Sequence, residues 1–114
     1  MSVNLKYDQG KVRMSLVTGQ FRPALIGVAK VLTFGASKYP HPETGDRSWK
    51  LVPNGLERYL DAFERHMNEV YREVEGMEYE EIDSESGLPH IDHAICDLLF
   101  IRELLEEVRN VHTI

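Results

Sequence analysis

Two stretches of apolar residues recur at three- and four-residue steps, and that period commits most of the chain to helix. In the first, Leu56, Tyr59, Leu60, Phe63, Met67, Val70, Tyr71 and Val74 share one face. In the second, Leu88, Ile91, Ile95, Leu98, Ile101, Leu105 and Val108 do the same. Such stripes mark amphipathic helices that must bury one side. Asn54 followed by Glu57 predicts a capped start for the first. Gly76 opens a very acidic connector, and Ser84–Gly87 supplies N-cap candidates for the second. Two long rods joined by a short connector pack antiparallel.

Upstream, residues 23–34 (PALIGVAKVLTF) predict a shorter, largely buried helix, with Pro23 in its first turn and Gly35 as its stop. Residues 1–20 have no sustained period and are expected to form an extended arm. Residues 36–53 carry three prolines and predict a long loop, a length that is often functional. The expected fold is therefore all-α: one domain over residues 1–114, a small bundle of two long antiparallel helices plus a shorter N-terminal one. At 114 residues a copy of this size gains from covering an apolar face with another, so a core completed by oligomerisation, as a dimer or tetramer, is expected.

Charge divides the chain. Residues 1–58 hold nine Lys/Arg against four acids, a net of +5, whereas residues 59–114 hold four against fifteen, a net of −11. A phosphate-gripping half joined to a cation-gripping half would show this division, and so would two halves that simply neutralise each other. Duplex nucleic acid is disfavoured as a partner, because the acidic half repels phosphates and no basic stripe exists. No apolar run approaches the roughly 18 residues of a membrane span, and no export signal is visible, so a cytoplasmic setting is expected. The lone Cys96 pairs with nothing inside the chain.

Candidate chemistry gathers on the helix margins. His90, His93 and Asp97 fall in one sector about 60° wide beside the second stripe, at roughly 100° per residue. His66, Glu69 and Glu73 do the same on the first helix. Facing helices often build metal sites from such margins, and Asp83 and Glu85 could close the shell from the connector. On the basic side stand Lys11, Arg13, Lys38 with Tyr39, and Arg65. Trp49, inside the long loop, is equally suited to stacking on a base and to plugging the core. No Walker loop, dinucleotide fingerprint or nucleophile elbow is present.

The string Lys6–Leu16 (KYDQGKVRMSL), then Val31–Tyr39 (VLTFGASKY), Trp49, Arg65-His66, and Asp83–His90 (DSESGLPH) with His93-Ala94 resembles the phage and bacterial family named for dATP/dGTP diphosphohydrolase. That family is similar to the all-α nucleotide pyrophosphatases of the MazG kind. The likeness runs from about Lys6 to Leu105. It implies metal-dependent cleavage of a purine deoxynucleoside triphosphate to monophosphate and pyrophosphate. In that reading Asp83, Glu85, His90, His93 and Asp97 hold Mg²⁺ or Mn²⁺, with His66 and Glu85 as catalytic groups. Mg²⁺ prefers oxygen ligands, so abundant histidine favours Mn²⁺. Lys11, Arg13 and Lys38 would neutralise the leaving pyrophosphate, while Trp49 or Tyr39 contacts the base and Arg65 joins the substrate-binding set. Two rival readings keep the fold: a nucleotide-binding protein that returns its ligand intact, and a metal phosphomonoesterase that releases inorganic phosphate.

Overall fold

A computed structural model describes residues 7, 9–43 and 45–113, with side chains through residue 110. Lys6 and Asp8 of the N-terminal string lie outside the described residues. Four helices follow in order: α1 (Ser15–Thr18), α2 (Arg22–Lys38), α3 (Gly55–Val74) and α4 (His90–Thr113), with a 3-10 turn at Ser48–Leu51 between α2 and α3. Among the described residues the only β pairing is two isolated bridges, His41 with Gly45 and Ile82 with Pro89.

The two long helices form where the apolar period predicts them, and they are antiparallel. His66 of α3 meets His90 at the start of α4, while Gly55, at the start of α3, faces Leu104 far along α4. α2 crosses α4 closely enough that a Cβ on Gly27 would fall 2.4 Å from Asp92 Oδ2. That contact point seats the small core, in which Val28, Val31 and Cys96 are buried and Leu88, Ile95 and Phe100 pack around them.

Local details depart from the expectations. The arm is not wholly extended: Ser15–Thr18 makes one helical turn, closed by Gly19 N–H to Ser15 O at 2.8 Å, with Gln20 Nε2 bonding Leu16 O at 2.9 Å. α2 does not stop at Gly35. An interior glycine costs only about 1 kcal/mol against alanine, and the helix runs on until Tyr39, which is forced out of helical geometry by Pro40. Asn54 does not cap α3 through its side chain; it sits in the left-handed region at φ 56°, which asparagine tolerates better than most residues, and its carbonyl accepts Arg58 N–H at 3.1 Å. Nor do Ser84–Gly87 cap α4, which begins only after Pro89. Those residues instead wrap a turn around Asp83.

Much apolar surface stays uncovered. Leu25, Ile26 and Leu32 on α2, and Leu98, Leu99, Leu105 and Val108 on α4, are each 37–49% exposed. The radius of gyration is 18.0 Å, against about 13 Å for a compact domain of this length. No helix among the described residues is long and apolar enough to cross a membrane.

Candidate functional site

The seam between α3 and α4 is where the chemistry-bearing side chains converge. α3 contributes His66, and the first turn of α4 contributes His90 and His93. His66 Nδ1 and His90 Nδ1 are 2.8 Å apart, and the His66 and His93 rings stack with centroids 4.6 Å apart and planes 12° from parallel. Asp83 arrives from the connector, held by four main-chain ties. Its Oδ1 accepts the N–H groups of Glu85 (3.0 Å) and Ser86 (2.9 Å). Its own N–H donates to Leu88 O, and its carbonyl accepts Gly87 N–H, each at 2.8 Å. One potential ligand atom from each of His66, Asp83 and His90 lies within 4.8 Å of the others.

Protonation favours a lone-pair donor set. Burial, reinforced by His93 and His90 alongside, pulls His66 down to about 4. Burial also lowers His93, against the pull of Asp83. For Asp83, burial pushes upward but is outweighed by the Ser86 hydrogen bonds and the neighbouring imidazoles, so the net direction is down. Neutral imidazoles beside an ionised carboxylate are what a divalent transition metal requires. Among the described residues, His90 Nε2 is buried without a hydrogen-bond partner, an unusual state for a ring nitrogen. The donor set of His66, Asp83 and His90 fits a cation. Ser86 adds an outer contact, its Oγ 2.6 Å from His93 Nε2, the kind of partner that fixes a ring tautomer.

The cluster opens on a cleft of about 650 Å³ whose wall includes Glu85, His93, Asp97, Arg58, Arg65 and Tyr39. Trp49 also lines it, with its ring stacked on Phe100 at 4.8 Å. Tyr59 closes the aromatic group, its ring 4.9 Å from Phe100 and its hydroxyl donating to Trp49 O at 2.7 Å. Trp49 thus packs on the core while still bordering the cleft. Burial pushes the Tyr59 hydroxyl up to about 12, with Asp97 adding to the effect. Asp97 itself is raised by burial to about 7 despite Arg65 nearby.

Other expected site residues stand apart from the cluster. Glu85, His93 and Asp97 border the cleft but are not in the close group of His66, Asp83 and His90. Lys38 is ion-paired with Glu85, joining the end of α2 to the connector. Its ammonium also lies 5.0 Å from the Tyr39 ring centre. Lys11 and Arg13 are exposed before α1 and take no part in the cleft wall. Glu69 does not face the cluster; its Oε2 accepts Glu80 N–H at 2.8 Å and so ties down the connector. Tyr59, Phe100 and Ser86 were not singled out from sequence. The two aromatics sit among apolar helix positions, where a cleft wall and a core look alike, and only the Ser86–His93 proximity reveals the serine.

A helix seam carrying two imidazoles and a carboxylate, opening on an arginine- and aromatic-lined cleft, defines an all-α protein of the class that builds its site between facing helices. Residues 2–113 match the family described as dATP/dGTP diphosphohydrolase, N-terminal, and the chain belongs to that family. It is 37% identical over 101 residues to a dATP/dGTP diphosphohydrolase of Salmonella phage PMBT28. That match takes in 89% of this chain but only 29% of the relative, so the chain spans less than a third of the curated protein it resembles. No solved structure matches.

Proposed function

We propose that this chain is a metal-dependent hydrolase that converts a purine deoxynucleoside triphosphate to monophosphate and pyrophosphate. The convergence of His66, Asp83 and His90 beside a cleft with two arginines carries the reading, and the name of the phage relative supports the substrate class. His66, Asp83 and His90 would hold the ion, and with two nitrogen donors the set favours Mn²⁺ over Mg²⁺. A divalent ion there supplies Lewis-acid stabilisation of charge on the phosphates.

The chain's own residues supply the rest. Glu85 stands at the cleft with a side chain 60% exposed and paired to Lys38. When Lys38 turns to the phosphates, Glu85 is released to accept the proton of a water attacking the α-phosphorus. The new P–O bond forms as the bond to the β-phosphate bridging oxygen breaks, and pyrophosphate leaves with the electron pair. Lys38, Arg58 and Arg65 neutralise that leaving group. Trp49 and Tyr39 offer ring faces to the base.

The same reading includes self-association. The exposed leucines and isoleucines on α2 and α4 form more apolar surface than a small monomer normally shows, and a second copy of this chain is the simplest cover for them.

The direct test is pyrophosphate release from dGTP and dATP with Mn²⁺ added. Turnover yielding pyrophosphate and monophosphate is expected. Protein that binds the metal yet turns over neither nucleotide overturns the reading, and release of inorganic phosphate from dGMP or dAMP instead replaces it with a phosphomonoesterase.

A further inference from the structure

The cleft contains one acid that the metal cluster leaves unused. Asp97 is only 7% exposed, its Oδ2 has no hydrogen-bond partner among the described residues, and it borders the cleft. It is not among the three residues whose ligand atoms converge. A buried carboxyl oxygen without a donor is costly and calls for a partner. Its surroundings say which kind. Along the face of α4 that lines the cleft, the order is His93, Asp97, Phe100, with His90 of the cluster one turn before them. Seven residues separate His90 from Asp97, about 10 Å along the axis. Beyond Asp97 the wall turns aromatic, with Phe100 stacked on Trp49 and Tyr59 beside them.

A triphosphate held at the cation end lays its base toward this aromatic end. The phosphates stay at the end of the cleft where the cation and Lys38, paired with Glu85, draw them. What reaches the carboxyl is therefore the base edge. Guanine presents two adjacent donors there, N1–H and the exocyclic amino group, which match the two acceptor oxygens of the Asp97 carboxylate once it is ionised, above about pH 7. Adenine presents one donor and one acceptor, which match an amide instead.

We propose that Asp97 is a specificity-determining residue of this cleft, accepting hydrogen bonds from guanine N1–H and the exocyclic amino group so that guanine nucleotides are favoured over adenine ones. This rests on the hydrolase reading above, and its test separates the two. For the unmodified protein with Mn²⁺ at about pH 8.5, where Asp97 is ionised, kcat/KM for dGTP exceeds that for dITP, which lacks the exocyclic amino group, by at least about fivefold. In D97N the dGTP-to-dATP ratio of kcat/KM falls by at least about tenfold, while Mn²⁺ affinity by titration calorimetry stays within about twofold. Equal efficiency on dGTP and dITP, an unmoved ratio in D97N, or lost Mn²⁺ affinity in that variant each overturns the assignment, the last by marking Asp97 as a cation ligand. No turnover of any purine nucleotide by the unmodified, Mn²⁺-loaded protein overturns the hydrolase reading and this assignment with it. If D97N does not fold, the dITP comparison decides alone.

Discussion

His66 Nδ1 lies 2.8 Å from His90 Nδ1, so only one proton fits between two ring nitrogens that face each other across the α3–α4 seam. Without a cation, one ring must donate and the other accept. With one, both become lone-pair donors beside Asp83. Replacing His66 or His90 by alanine, or Asp83 by asparagine, is therefore expected to weaken Mn²⁺ binding by at least about tenfold, read by calorimetry. E107Q, at the far end of α4, should leave it unchanged. Equal affinities in all four variants would remove the cluster as the cation site.

Stability in EDTA should carry opposing pH signatures from two residues. Asp97 keeps its proton in the native state up to about pH 7, whereas the unfolded chain loses it near 3.8. Its contribution is thus greatest below about pH 4 and falls as pH rises to 7, by a loss on the order of 4 kcal/mol. His66 acts the other way. Its native value near 4 against an ordinary 6.5 means stability is present above pH 6.5 and lost as pH falls toward 4, and His93 shares that direction. D97N should therefore lose stability steadily on acidification from pH 6.5 to 4, while H66Q should gain it. Urea midpoints across that range decide, and parallel curves for the two variants would contradict the assignment.

The crossing of α2 over α4 gives a double-mutant prediction. A methyl on Gly27 meets the end of the Asp92 side chain, so G27A should cost on the order of 1 kcal/mol as that carboxylate swings aside. In a D92A background the obstacle is gone, and the same change should be neutral or stabilising by up to about 1 kcal/mol through helix propensity. Thermal melts of the four proteins in the cycle give the coupling, and additivity would show that the two groups do not meet.

Trp49 is the only tryptophan in the chain, so its emission reports on the aromatic end of the cleft. Adding dGTP with Ca²⁺ in place of Mn²⁺ should change its intensity saturably. Y59F, which removes the hydrogen bond to Trp49 O, should cost about 1 kcal/mol and red-shift the unliganded emission as the loop loosens. Unchanged spectra in both experiments would place the base elsewhere.

The amphipathic period made the long helices and their antiparallel packing legible, because a stripe such as Leu56–Val74 can be buried in only one way. It also placed His90 and His93 correctly beside the seam. His66 was visible as a margin residue, but its union with Asp83 and His90 was not, since that depends on how the connector folds back. The turn around Asp83 consists of main-chain bonds that no spacing announces. Asp97 shows the limit most clearly. Its helical sector groups it with the histidines, whereas one further turn along α4 sets it beside aromatic rings instead. Gly35 and Asn54 misled for a simpler reason: local preference at a helix end is weak, and Pro40 and the packing of α3 overrode it.

The connector is tied at both ends, its near end to α3 by Met77 N–H to Arg72 O (2.8 Å) and Glu80 N–H to Glu69 Oε2 (2.8 Å). The Ile82–Pro89 bridge and the bond from His90 N–H to Glu81 O (3.0 Å) fix Asp83 against α4, while residues 75–80 run exposed after α3. Because the far end has its own ties to α4, a change of length within that exposed acidic stretch is expected to leave the carboxylate in place. Lineages are thus free to drift in loop length there, and a peptide epitope spliced beside Met77 would ride on the molecule without disturbing its chemistry.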